Sequence, residues 1–329
     1  MTPPTAAQVA PGATRTPAER AAPAGRARAL RRRAPWHLAV TLVVLVCAAL
    51  LARHHWPVIE AGITRLEDAD RGWLLLAAIA TVSTWPCSAL AQQGAVAERL
   101  PFGRLAAAQF AAAAANHLLP AGLGAGAVNL RFLNRRGLSM ARSATALAVK
   151  ATAGAVTRGA LIALLALAGP GLLSLPRASA VAVGAALVAG GGLVVVLCRP
   201  LRRAVWTVLA DVRAVHRLPS RAAALWGASL GFAALHSLVV IAVTRSLGLP
   251  LPSGRVALAY LVASSAAVLL PTPGGLGSLD AALAFALALA GVPGSAAASV
   301  VLGYRLLTVW LPLIPGLAVL GLLVRRKEL

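Results

Sequence analysis

Charge is what this sequence has least of. Only 12% of its 329 residues are Asp, Glu, Lys or Arg, about half the share found in soluble domains. That scarcity excludes an ordinary cytosolic enzyme, a coiled coil and a disordered protein. Acids are scarcer still, 9 against 31 basic residues, for a formal net charge of +22. Aromatic residues make up 4%. Three cysteines, Cys47, Cys87 and Cys198, lie in or beside apolar runs. An odd count frames no disulfide scaffold, and the three read as small buried hydrophobes. The chain has no HExxH, no Cys/His spacing suited to a metal, no P-loop, no dinucleotide fingerprint and no Gly-x-Ser-x-Gly elbow. Neither a cofactor nor enzymatic chemistry is expected.

What the chain has is hydrophobicity, at 59% of its residues. Apolar runs of about 20 residues read as membrane spans. The basic excess then marks loops on the cytoplasmic side and excludes a nucleic-acid partner. Residues 1–35 are rich in Pro, Ala and Arg, with no apolar period, and read as a disordered basic tail. Pro35 and Trp36 open a first retained helix to Ala52. Further spans are expected at 72–91, 145–168, 178–198 and 222–245. A last run at 296–324 carries Pro312 and Pro315. It is long enough to tilt, kink or split in two. Two Lys against 29 Arg, with abundant Ala and Gly, point to G+C-rich coding.

Two apolar segments, 105–119 and 255–270, hold 15 and 16 residues. At 1.5 Å per residue they reach roughly 22–24 Å, short of a hydrocarbon core of about 30 Å. Each runs into Pro and Gly and is followed by another short segment. They read as re-entrant hairpins, at about 105–133 and 255–290, whose broken backbone needs a cavity or protein to satisfy it. The hairpins repeat each other. Both carry Leu-Leu-Pro and then Gly-Leu-Gly. Gly137 and Lys150 follow the first at spacings of 13, and Gly291 and Arg305 follow the second at spacings of 14. With the tail inside, 22 cations fall on the cytoplasmic side and 6 outside, which satisfies the positive-inside rule. The hairpins then enter from opposite faces. The predicted architecture is an all-α polytopic membrane protein of roughly six to eight spans, with two re-entrant hairpins in an inverted repeat. A flippase-like membrane domain at 36–329 follows the tail, and both termini are cytoplasmic.

Lys150, Arg158 and Arg305 fall within spans, where a cation normally faces a cavity or a partner. Asp280 is the lone carboxylate placed beside them. An Asp280–Arg305 ion pair fixing the second hairpin is the simplest reading. Surplus cations binding an anionic headgroup is the functional one, and snorkelling by Lys150 and Arg158 is a third. Pro120, Pro271 and Pro273 end helices, and Gly122, Gly124, Gly274, Gly275 and Gly277 permit tight backbone or close packing. Asn116 and His117 stand before the first break, placed to satisfy freed backbone groups. His236, in mid-span, reads as an interhelical hydrogen-bonding residue.

The segment 118–133, Leu-Leu-Pro-Ala-Gly-Leu-Gly-x-Gly-Ala-Val-Asn-Leu-Arg-Phe-Leu, resembles the first motif of the lysylphosphatidylglycerol synthase transmembrane region. This flippase-like family is related to the membrane domain of multiple peptide resistance factor. Pro-Thr-Pro-Gly-Gly-Leu-Gly-Ser-Leu-Asp at 271–280, Gly291-Val and Tyr304-Arg-Leu-Leu-Thr resemble the second. The resemblance covers about residues 36–325. Asp280 stands where the family carries Glu, which keeps the charge and shortens its reach. The resemblance implies a multi-pass protein of the bacterial cell membrane that moves a phospholipid or aminoacylated phospholipid between leaflets, with membrane lipids as its partners. Full-length relatives add a cytosolic lysyl-transfer domain. Only Arg325–Leu329 follow the last span, so no synthase activity is expected. The substrate pathway would include Asn116, Pro120, Gly122, Gly124, Lys150, Arg158, Pro271, Pro273, Gly274, Gly275, Gly277, Asp280, Tyr304 and Arg305. Two other classes stay open: a membrane-embedded enzyme on lipid-linked substrates, and a non-transporting accessory subunit.

Overall fold

The computed structural model describes residues 64, 67–117, 123–168, 213, 217–268 and 277–329. The expected tail, the first helix at 36–52 and the span at 178–198 lie outside the described residues. So do Cys47 and Cys198, and Pro120, Gly122, Pro271, Pro273, Gly274 and Gly275 among the pathway residues. The described residues are helical, with no strand among them.

The helices are α1 (Arg71–Gly94), α2 (Phe102–Asn116), α3 (Leu123–Arg135), α4 (Met140–Ala168), α5 (Pro219–Ser246), α6 (Ser253–Ala267), α7 (Ser278–Leu289), α8 (Gly294–Arg305) and α9 (Leu311–Arg325). Four stretches are long and apolar enough to cross a membrane: α1, α4, α5 and Gly294–Arg325. The last is a single run of 32 residues. The prolines do not split it. Instead, Leu306–Trp310 forms a π-helical turn between α8 and α9. Pro312 lacks the N–H that would bond the carbonyl four residues back, at Thr308. The turn widens, and the N–H of Leu311 reaches Leu306.

The antiparallel pair α1 and α5 forms the spine. Asp70 caps α1 by accepting from the Trp73 N–H at 3.0 Å, and its own N–H donates to Ser246 at the end of α5 at 2.9 Å. At the other end a Cβ on Gly94 would lie 2.4 Å from the Leu225 nitrogen. Midway, the Cys87 thiol donates to the Ala228 carbonyl at 3.0 Å. Without a hydrophobic drive inside lipid, close approach through small residues supplies the packing. The guanidinium of Arg221 donates to the Gln93 and Ala97 carbonyls at 2.8 and 3.2 Å. A cation thereby sits at the negative end of the α1 dipole.

The shorter helices come in two packed pairs, α2 with α3 and α6 with α7. In the first, a Cβ on Gly124 would meet the Ala115 carbonyl oxygen at 2.0 Å, while further along Gln109 bonds Asn129. The chain therefore returns antiparallel along α2. Both returning helices end alike. Gly137 and Gly291 take φ of 91° and 97°, and their N–H groups bond Asn134 and Ala288 at 3.0 and 2.9 Å. The next N–H groups, of Leu138 and Val292, reach Leu133 and Leu287. These are matched Schellman closures, which require a left-handed residue best met by glycine.

Two larger apolar clusters result, beside a small one of Ala95, Val149, Ala153 and Leu225. One joins Val239, Val240, Val243, Leu261, Leu283, Leu287 and Val300, and the other joins Leu105, Phe132, Leu133, Leu323 and Leu329. Outward, Leu164, Leu167, Phe285, Leu289 and Ile314 are more than 60% exposed. A surface so apolar on so many helices fits hydrocarbon, not water. Three ion pairs gather at one end of the helices. Glu328 pairs with Arg104 and Arg136 at 3.4 and 3.1 Å, and Arg142 with Glu98 at 2.8 Å. The start of α2 and the end of α3 thus share that end.

Gly94→Ala should place a methyl against the α5 backbone and lower stability by about 1–3 kcal/mol, the range for overpacking. Gly126→Ala, where a Cβ meets nothing within 4 Å, should change stability by no more than about 1 kcal/mol. Thermal unfolding in detergent compares the two.

Candidate functional site

A cavity of about 680 Å³ opens among the helices. Its wall takes residues from α1 through α8 and from the π turn. Lys150, Arg158 and Arg305 all line it. So do Asn116 and Tyr304 among the predicted residues, and Ala267 and Val268 where α6 ends. The outer surface is apolar and the cavity carries the cations. That polarity is the reverse of a soluble protein's.

Lys150 is held without a carboxylate. Its Nζ donates to the Ser88 hydroxyl at 2.8 Å and to Gln109 Oε1 at 2.9 Å. Ser88 donates in turn to the same Oε1 at 2.9 Å. Gln109 Nε2 donates to Asn129 Oδ1 at 2.6 Å, and Asn129 Nδ2 donates to the Ala125 carbonyl at 2.9 Å. A backbone carbonyl can only accept, so it fixes the Asn129 amide. That fixes the Gln109 amide in turn, and a carbonyl oxygen is left pointing at Lys150. Such buried, oriented networks hold one arrangement at the expense of others. The bonded Nζ also excludes the snorkelling expected as one reading of Lys150.

Arg305 is held differently. Its side chain is 7% exposed, and Nε makes an ion pair with Asp280 Oδ1. The other carboxylate oxygen accepts from the Gly277 N–H at 2.8 Å. Gly277 has φ of 85° and opens α7. One acid therefore caps a helix N-terminus and anchors the cation. Next to it the Tyr304 hydroxyl donates to that of Tyr260 at 3.3 Å. The Thr308 hydroxyl of the π turn donates back to the Tyr304 carbonyl at 2.7 Å.

His236 departs from its expected interhelical bond. Its Nδ1 donates to the Phe232 carbonyl of its own helix at 3.2 Å, and its ring stacks on Tyr260 at 6.2 Å between centroids. Asn116 and His117 stand at the end of α2, and the backbone break they were expected to satisfy lies outside the described residues. Asn116 Oδ1 and His117 Nδ1 are buried and have no hydrogen-bond partner among the described residues. Both residues line the cavity. Arg158 Nε is likewise buried and without a partner among the described residues. Unmet buried polar groups are uncommon and call for water or a ligand. Gly124 serves close packing of α3 on α2 and is not part of the wall.

Ser88, Gln109, Asn129 and Tyr260 were not singled out in the sequence. Two of them carried a signal. Gln109 precedes the first Leu-Leu-Pro by nine residues, and Tyr260 precedes the second by nine. Among the described residues no group of His, Cys, Asp and Glu is placed to hold a metal.

The fold and this cavity define a polytopic membrane protein whose polar centre is enclosed by apolar helices. The chain belongs to the lysylphosphatidylglycerol synthase transmembrane region family, which it matches over residues 37–316. A search among curated proteins finds no match.

Asp280→Asn should leave Arg305 buried without its counter-charge and cost about 3 kcal/mol. Adding Arg305→Gln should recover part of that loss. A double-mutant cycle on thermal unfolding measures the coupling.

Proposed function

We propose that this protein moves a phospholipid or aminoacylated phospholipid between the leaflets of the membrane. The observation that carries this is the cavity with three cations on its wall and, among the described residues, one carboxylate, Asp280, shown paired to any of them. Each lipid phosphate brings a negative charge that such a surplus accepts. The apolar outer surface lets acyl chains stay in hydrocarbon while the headgroup crosses. The family's name ties the chain to lipid without fixing a substrate.

On this proposal α2–α3 and α6–α7 are re-entrant hairpins entering from opposite faces. The contact of Glu328 with both Arg104 and Arg136 supports a shared cytoplasmic end for the first pair. Arg245, which donates to the Ser253 hydroxyl at 3.4 Å, puts the start of α6 beside the end of α5. The two halves form an inverted repeat, supported by the matched closures at Gly137 and Gly291. Lys150 and Arg305, at equivalent places after them, meet at one cavity. The N- and C-termini are cytoplasmic, and the chain moves lipid without altering its bonds.

One observation favours a second reading, an embedded acyl-transfer enzyme. Ser88 and Lys150 lie at hydrogen-bond distance, a pairing known to activate serine. Against it, the Ser88 hydroxyl hydrogen is directed to Gln109 and away from Lys150.

Headgroup-resolved translocation in proteoliposomes tests both. Wild type should move an anionic or lysyl-bearing fluorescent lipid faster than empty liposomes do, and return it chemically intact. Arg158→Gln and Arg305→Gln should each slow it roughly tenfold or more, the loss expected for a hydrogen bond to a charged group. Rates equal to empty liposomes for every headgroup would sink the translocase. Cleaved lipid that disappears in Ser88→Ala would favour the enzyme.

A further inference from the structure

The two principal cations of the cavity are held by opposite means. Arg305 has a carboxylate. Lys150 has a hydroxyl and an amide oxygen, both neutral. Among the described residues no acid lies within ion-pair distance of Lys150. A lysine nitrogen has four bonds or lone pairs, one of them to its own carbon. Two of the remaining three positions on Nζ are directed at Ser88 and Gln109, and the third is left for the cavity that Lys150 lines. A neutral amine has two N–H groups and a lone pair; an ammonium has three N–H groups. The fixed network therefore accommodates either form, since the same two N–H groups donate to it in both. In donor count the forms differ at the cavity-facing position, which holds either a lone pair or an N–H.

The surroundings decide which form is favoured. On its own helix Arg158 faces the same space. From α1 the titratable neighbour is Cys87, from α2 His117, and from α5 His236. From α3 comes only the neutral Asn129. From α6 and α8 come Tyr260, Tyr304 and Arg305, the last with Asp280. With no ligand this ring is cationic, and an ammonium at Lys150 adds like charge to it. An anionic oxygen in the cavity reverses the balance, because it attracts the charge and accepts the third N–H. Arginine stays protonated throughout, so the variable charge falls to lysine.

We propose that Lys150 takes up a proton when an anionic phosphate oxygen enters the cavity, so that anion and proton cross the membrane together. The step is a proton transfer alone. An O–H bond of a hydronium ion breaks as the Nζ lone pair forms the new N–H bond, one water is released, and nothing is oxidised or reduced. This rests on the translocase reading, and extends it to an ion-coupled, charge-compensated movement.

The test is calorimetry of the full chain in detergent at about pH 8, where ordinary histidines are neutral and an ordinary lysine is charged. Short-chain phosphatidylglycerol is titrated in two buffers of different ionisation enthalpy, which reveals proton uptake. About one proton should be taken up per lipid bound, and Lys150→Arg should abolish the uptake whatever affinity remains. Wild-type binding without uptake would overturn the proposal, and needs no variant. Uptake that survives in Lys150→Arg but vanishes in His117→Gln or His236→Gln would also overturn it, by assigning the proton to an imidazole. Inorganic sulfate separates the source of the oxygen. Uptake with the lipid alone supports a headgroup, and equal uptake with sulfate replaces the headgroup by a free oxyanion. Proton-linked binding with no translocation in proteoliposomes would sink the translocase and leave the linkage standing. Absence of binding by both short-chain phosphatidylglycerol and its lysyl ester would overturn both.

Discussion

A cation inside hydrocarbon has to be satisfied from within the protein, and this chain has almost no acids with which to do it. That constraint shapes the bundle. Arg305 takes the available carboxylate, Asp280, and the same acid caps α7 through the Gly277 N–H. The ion pair therefore ties α8 to the start of the returning helix. Lys150 takes neutral dipoles from α1 and α2, and these are braced by Asn129 on α3. One side chain of α4 is thereby fastened to three other helices. The remaining charge of the set, Arg158, has an Nε with no partner among the described residues. The cavity has to be wet or occupied for that arrangement to persist.

The α1–α5 spine makes this possible. Its close approach at Gly94 and its mutual capping at Asp70 and Ser246 cost no side-chain volume. The short helix pairs then lean on a rigid partner, with their apolar faces in the Val239–Leu283 and Leu105–Phe132 clusters. Small residues bring backbone close where the helices need strength. The few polar side chains are left for the centre, where Ser88, Gln109 and Tyr260 meet the cations.

Helix positions were legible because hydrocarbon imposes a length and a composition. The spans expected at 72–91 and 222–245 became Arg71–Gly94 and Pro219–Ser246. The short segments became helices of 15 residues each, α2 and α6. The in-span cations were legible for the same reason, since any charge in an apolar run stands out. Helix rotation was not legible. Whether Gln109 or Ser88 faces a lysine depends on an angle that an Ala-rich helix with apolar residues on every side does not record. His236 shows the same limit, for its Nδ1 proton goes to its own helix and its ring to two tyrosines. The π turn was hidden because a proline inside a span suggests a kink or a break before it suggests a wider turn.

The place of that turn follows from the same constraint as the cations. Pro312 frees the Thr308 carbonyl from its regular partner, and freed backbone is expensive in lipid. Here it falls one turn beyond Arg305, on the cavity side, where Thr308 and Val309 belong to the wall. The Thr308 hydroxyl donates back to Tyr304 and steadies the segment that carries Arg305. Irregular backbone and buried charge share a location because each needs what the cavity supplies. A straight helix there would turn Tyr304 and Arg305 relative to α9. On one side of the turn Arg305 meets Asp280, and on the other Gly316 of α9 comes close to Ala114 of α2. The π turn is thus the adjustment that lets one continuous span serve both halves of the bundle.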